Sequence, residues 1–230
     1  MSARDRLSTR LTAAVAVLLL IVVAGIVWAV SKAARDKDSG AADRERAALA
    51  AGPAPFESGR LRFGDPAAPV TLVLIEDFQC PLCKSLDTVS GATIDAAVED
   101  GKAAIEYDIV AVLDAESTTE YSSRAANASV CVAVADKEKW RAFRALAFQR
   151  QPATGSAGLG DAELIDLARQ AGVVDPGLDE CVTARRHRDF VAAHTRADVA
   201  GGLLRVPMLL ADGTEVVSPT PEGITAAVKR

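Results

Sequence analysis

Hydrophobic positions fall into three regimes along the chain. From Leu11 to Ser31 no residue is charged, and the 20-residue stretch Leu11–Val30 is apolar almost throughout. As a helix it measures roughly 30 Å, the thickness of a bilayer's hydrocarbon core. It has no polar stripe, which disfavours a helix lying on the membrane surface. Trp28 sits near one end, where an indole suits the interface. The pattern predicts a transmembrane anchor at 11–31; the flanking Lys and Arg do not favour an N-terminus inside the cell, so a cytoplasmic N-terminus at 1–10 is expected from the cysteines below rather than from charge. A cleaved signal peptide would have a shorter apolar core and a better cleavage site than Ala29-Val30-Ser31. A buried core helix fits poorly directly after MSARDRLSTR. Residues 32–57 are charged and Ala-rich, end in AGPAPF, and read as a linker whose helical tendency stops at Pro53 and Pro55.

From Ser58 the periodicity becomes that of a mixed α/β domain, 58–230. Leu61-Arg62-Phe63 alternates briefly, as an edge strand does, and Gly64-Asp65-Pro66 marks a turn. Val70–Phe78 (VTLVLIEDF) is apolar and β-branched enough for a buried strand. A helix should begin at Pro81 and run towards Val98, and Ala103–Leu113 reads as the next strand. These form a βαβ unit, normally parallel and right-handed. Helical periodicity then dominates an insertion at about 118–200, in four stretches: Thr118–Asp136, Glu138–Gln149, Asp161–Ala171 and Leu178 to about Ala200. Two apolar runs, Met208–Ala211 and Thr214–Val217, flank Asp212-Gly213, a strong two-residue hairpin signal. A short helix from Pro221 to Lys229 closes the chain.

Charge and composition narrow the chemistry. The chain carries −5 overall, and residues 58–230 alone hold 18 basic and 25 acidic side chains, which argues against a nucleic-acid partner. Two histidines exclude His-rich metal sites and zinc-hydrolase motifs, so no metal or cofactor is expected. His187 and His194 lie among Arg185, Arg186 and Arg188 and are expected at the surface. Trp140, Phe143 and Phe148 have helical spacing and should pack the insertion. The sequon Asn127-Ala128-Ser129 falls mid-helix and reads as chance.

The four cysteines remain. Cys80-Pro81-Leu82-Cys83 lies at a strand exit and a helix start. Free backbone N–H groups and the helix dipole there favour a thiolate. Pro81 suits the first helical position, having no N–H to leave unpaired. Cys80 is then the exposed nucleophile and Cys83 the thiol that resolves a mixed disulfide. A structural disulfide or half of a zinc site are the alternatives, but a Cys₄ site normally uses two close pairs, and Cys131 and Cys181 lie 50 residues apart. Pairing those two would close a loop worth about 4 kcal/mol in the chain-entropy model; two buried free thiols are the other reading. A bridge would imply an oxidising compartment outside the cytoplasm.

Gly64-Asp65-Pro66-Ala67-Ala68-Pro69-Val70-Thr71, followed by Asp77-Phe78-Gln79-Cys80-Pro81-Leu82-Cys83, resembles the DsbA-like thioredoxin-fold family of extracytoplasmic thiol oxidoreductases. So does the order βαβ, helical insertion, ββα. The resemblance covers about 58–230. It implies a second disulfide, Cys131–Cys181, in the insertion, and a cis-proline loop at Val206-Pro207 facing the cysteines, where the Val206 backbone pairs with extended substrate. It also implies reduced, unfolded secreted proteins as substrates and a membrane redox partner of the DsbB or VKOR type. Two features differ from the family pattern. Leu82 stands where strong oxidases often carry His, and Leu74 stands where a buried acid often lies. Glu76 shares Leu74's strand face and could replace that acid; otherwise Glu76 and Asp77 are solvated at the strand end. Expected, then, is an oxidase acting through Cys80–Cys83, with a reductase of the same fold or a redox-inert binding protein as rivals.

Overall fold

The structure, a computed structural model, describes residues 52–56 and 58–229 together with Gly25, Ile26, Trp28 and Lys32. The anchor expected at 11–31, apart from those residues, and most of the linker expected at 32–57 lie outside the described residues. Among the described residues no helix is long and apolar enough to cross a membrane. The chain divides into two compact units, Met1–Ala47 and Ala48–Arg230, and the second contains all four cysteines.

Strands β1 (Leu61–Phe63), β2 (Val70–Glu76) and β3 (Ala103–Ile109) flank helix α1 (Pro81–Glu99). Helices α2 (Tyr121–Ala135), α3 (Trp140–Gln149), α4 (Asp161–Gln170), α5 (Leu178–Thr183) and α6 (Arg188–Ala200) form the insertion. Strands β4 (Met208–Ala211) and β5 (Thr214–Glu215) and helix α7 (Pro221–Ala227) complete the fold. The sheet order is β1-β3-β2-β4-β5; β2 and β3 are parallel, and the other pairs are antiparallel. This is the thioredoxin arrangement, with β2 central and its C-terminal end opening onto the cysteines.

Alternation sorts the strands onto two faces. Leu72, Leu74, Ile105, Tyr107 and Leu209 join the main core with Leu86 and Ile94 of α1. Val73, Ile75 and Val110 form a smaller cluster with Leu203, Val206, Met208 and Leu210 packed against it. In α1, Cys83, Leu86, Ser90, Ile94 and Ala97 recur at helical spacing and face inward. The insertion closes the main core through Trp140, Phe143 and Phe148. Trp140 stacks on Phe63, and Phe148 lies 5.3 Å from Phe78, two residues before Cys80. The Trp140 indole N–H donates to Ser129 Oγ at 2.7 Å, so that residue of the sequon is buried rather than available.

Two expectations need correction here. The single helix expected from Leu178 to about Ala200 is two, α5 and α6. Arg185 takes φ 53°, a left-handed conformation that ends α5. The chain there is held from outside: Cys181 is bonded to Cys131, and the His187 N–H donates to Asn127 Oδ1 at 2.9 Å. Second, His194 is buried, not a surface residue: its ring docks on β3 and lies parallel to Phe190. The hairpin has the form its dipeptide predicts, with Asp212 at φ 48° and Gly213 at φ 77°.

Candidate active site

Strand β2 ends at Glu76, and the loop Asp77–Gln79 delivers Cys80 to the N-cap of α1. The Cys80 amide donates to the Asp77 carbonyl at 3.0 Å, and the Cys83 amide donates to Cys80 Sγ at 3.4 Å. Pro81 occupies the first turn, as helix-start geometry requires. Cys80 and Cys83 are free thiols. The Cys80 thiol donates to the Val206 carbonyl at 3.5 Å, and the Val206–Pro207 bond is cis. Residues 126 positions apart thus meet over one sulfur.

Cys80 was expected to be exposed, but it is only 4 % exposed. The Val206 carbonyl lies against its sulfur. Leu82 is the exposed member of the motif, at 66 %. It borders a groove of about 260 Å³ with Leu86, Val206, Pro207, Leu209 and Val217. An ion pair between Arg205 and Glu215 flanks that groove. A larger cavity of about 500 Å³ lies in the insertion, between Arg124, Asp161, Arg185 and Arg188, and neither redox cysteine lines it.

The two thiols are driven in opposite directions. A hydrogen bond from the Cys83 side chain, then the backbone N–H groups of Cys83 and Leu82, bring the Cys80 thiol down to about 7, against the opposing effects of burial and of Asp77. Burial pushes the Cys83 thiol far up, and its hydrogen bond to Cys80 and the Glu76 charge add to this. Of the two, Cys80 is the thiol suited to act as nucleophile and leaving group, and Cys83 the one suited to hold its proton.

Glu76 and Asp77 are both fully buried, which overturns the reading of two solvated acids and leaves Glu76 in the place expected of an acid that replaces the one absent at Leu74. Two donor sets explain it. Arg144 of α3 reaches Glu76 from Nε and Nη2 at 2.5 and 2.6 Å, donates to Asp87 from Nη1 at 2.5 Å, and lies over the rings of Tyr107 and Phe148. Burial still raises the Glu76 pKa, and Arg144 opposes that rise. Among the described residues no cation pairs with Asp77. It accepts from the amides of Gln79 (2.8 Å) and Leu113 (3.0 Å) and from Ser122 Oγ (2.7 Å), and burial pushes it up to about 6 despite these bonds. Leu74 is a buried core residue of β2, and Glu76 lies two positions on, on the same strand face.

Sequence reasoning missed three site residues. Arg144 falls on the stripe Trp140, Phe143, Ala147, Phe148, so a charge on an apolar helix face was the available signal. Gln151 donates to the carbonyls of Phe78 and Cys80, both at 2.9 Å, and fixes the loop before the helix; nothing local marked it. Ser122 likewise acts only through the fold. Cys131 and Cys181 form a disulfide joining α2 to α5, with Cα atoms 5.9 Å apart.

Comparison with known proteins agrees with this geometry. The family model described as Thioredoxin matches residues 57–230. The serine/threonine-protein kinase PknE of Mycobacterium tuberculosis is 33% identical over 146 residues, 61% of this chain, and the match spans only 25% of the kinase. Reduced DsbA from M. tuberculosis superposes with a TM-score of 0.65 at 31% identity, covering 74% of this chain and 91% of that one. The reduced disulfide bond oxidoreductase DsbG from the same organism gives 0.67 at 32%, covering 74% and 86%. The chain belongs to the thioredoxin family, within its DsbA-like group of thiol–disulfide oxidoreductases.

Proposed function

We propose that the chain is an extracytoplasmic oxidase, anchored through Leu11–Val30, that introduces disulfides into reduced, unfolded secreted proteins. A thiolate of the substrate attacks Cys80 Sγ of the oxidised pair. The Cys80–Cys83 bond breaks, and Cys83 leaves and takes a proton, which its high pKa favours. The mixed disulfide at Cys80 is then attacked by the substrate's second thiolate. That step forms the substrate disulfide and releases Cys80 as thiolate. Two electrons and one proton reach the cysteine pair, the substrate's other proton goes to solvent, and a membrane partner of the DsbB or VKOR type takes the electrons on. The groove beside Leu82 receives apolar substrate side chains, and the Val206 backbone pairs with the extended chain.

The observation that carries this reading is the asymmetry between Cys80, at about 7, and Cys83, far above its ordinary value. A stabilised Cys80 thiolate favours the reduced pair and so makes the oxidised pair a disulfide donor. The Cys131–Cys181 bridge supports an oxidising compartment. A second reading, a reductase, is favoured by the size of the effect. Leu82 supplies no donor beyond its amide, and a thiol near 7 is that of a thioredoxin rather than of a strong oxidant.

The deciding measurement is the reduction potential of Cys80–Cys83 in glutathione buffers, with Cys131–Cys181 left intact. A value near about −120 mV supports disulfide donation, and one near about −270 mV makes the protein a reductase. No reversible exchange leaves a binding protein that has kept the fold.

A further inference from the structure

On the sheet face opposite the main core, three donor atoms converge that neither cysteine pair uses. Asp108 lies near the end of β3, and His194 and Asp198 lie one turn apart on α6. His194 Nε2 is 2.6 Å from Asp108 Oδ1 and 3.2 Å from Asp198 Oδ2, and the three atoms all lie within 4.8 Å of one another. A ring nitrogen carries one proton, and the short contact to Asp108 uses it. Asp198 Oδ2 faces the same nitrogen in an ion pair at 3.2 Å, without a hydrogen bond of its own, on a side chain that is 16% exposed. One proton serves two carboxylate oxygens poorly, whereas a cation between the three atoms serves them all. We infer that Asp108, His194 and Asp198 form a binding site for a divalent first-row metal ion, zinc foremost, with water completing the coordination.

The geometry is close to what the ion needs. Zinc holds imidazole nitrogen and carboxylate oxygen at about 2.0–2.2 Å, which sets tetrahedral donors about 3.3 Å apart. The Asp198 contact already has that spacing, and Asp108 Oδ1 has to withdraw by about 0.7 Å. Arg60 Nε donates to the other oxygen, Asp108 Oδ2, at 2.8 Å, which orients the carboxylate and leaves Oδ1 for the ion. A Cβ at Gly59 would come within 2.2 Å of His194 Nδ1, so the chain closes that side of the ring and Nε2 is the ligating atom. The Asp198 side chain is 16% exposed and gives the ion its entry. The charges around the site are Arg60, Glu106 beside it on β3, and the two aspartates. Magnesium and calcium, which prefer oxygen, gain little from the imidazole. The other converging set, Cys131, Cys181 and His187, has both sulfurs in a disulfide.

The test uses the full-length protein carrying Cys80→Ser and Cys83→Ser, so that no free thiol competes for the ion. Zinc is titrated against a colorimetric chelator, and melting is followed with and without zinc. We expect one zinc per chain, a melting temperature that rises with zinc, and a loss of affinity of at least about tenfold in Asp198→Asn. Metal-free Asp198→Asn should melt no lower than its parent, which separates lost binding from lost folding. Cobalt in place of zinc should show no thiolate-to-metal charge-transfer band. Zinc stripped completely by the chelator overturns the inference. So does zinc held equally by Asp198→Asn and His194→Gln, which marks an adventitious ion only.

Discussion

At the scale of single residues, the reactivity of Cys80 is a balance among groups within a few ångströms. Three donors favour its thiolate, while burial and the Asp77 charge oppose it. Asp77 itself ionises at about 6, above its ordinary value because it is buried. An acid whose folded pKa is raised binds its proton more tightly folded than unfolded. Its contribution to stability is therefore full below about pH 4, declines as pH rises towards 6, and becomes a constant cost above that. The same ionisation acts on Cys80. Asp77→Asn should lower the Cys80 pKa and raise its thiolate population by up to about twofold between pH 6 and 7, read as the rate of alkylation of the reduced protein, with no gain above about pH 8, where Cys80 is already ionised. Below pH 6, where Asp77 is protonated, variant and parent should converge. Asparagine can keep the Gln79 and Ser122 bonds through its oxygen, but it turns an N–H towards the Leu113 amide, so a loss of about 1–2 kcal/mol in stability should accompany the change.

At the scale of elements, α3 of the insertion is bound to β2 and α1 by Arg144. Its guanidinium bridges Glu76 and Asp87 and is covered by Tyr107 and Phe148. Removing one partner of a buried pair leaves the other charge without compensation. Arg144→Met should cost about 3–5 kcal/mol at pH 7 by urea unfolding. Adding Glu76→Gln should restore more than half of that, since a neutral amide needs no cation. The cost should also shrink as pH falls towards the ordinary carboxylate range, because the unpaired Glu76 then takes up a proton, its pKa being raised by burial already. If the single and double variants are equally destabilised, the packing of the Arg144 stem is what matters rather than its charge.

At the scale of the whole molecule, the fold divides its labour between two cysteine pairs. Cys80–Cys83 lies at the sheet's C-terminal edge, beside a groove and a cis-proline loop. Cys131–Cys181 ties α2 to α5, with sequence separation 50. Replacing both Cys131 and Cys181 by Ala should lower stability by about 4 kcal/mol, the closure entropy of such a loop. The potential of Cys80–Cys83 should stay within about 15 mV of the parent, equivalent to about 0.7 kcal/mol. A larger shift would mean that the insertion disulfide tunes the redox centre through α2, whose Ser122 donates to Asp77.

What the sequence determined by itself was local. The strand–Cys80-Pro81-Leu82-Cys83–helix junction, the Asp212-Gly213 hairpin and the helical insertion all rest on periodicity and on short-range backbone geometry. Such preferences act between neighbours in the chain, so they can be read along it. Helix ends, burial and pairing belonged to the tertiary structure. The break at Arg185 depends on a disulfide and on Asn127 in another helix. The burial of Glu76, Asp77 and His194 depends on hydrogen-bond partners 68, 36 and 86 positions away. Charged side chains are expected at the surface because burying them without a partner costs several kcal/mol. Only the folded chain brings Arg144, Ser122 and Asp108 to them, and only there does the converging set of Asp108, His194 and Asp198 exist.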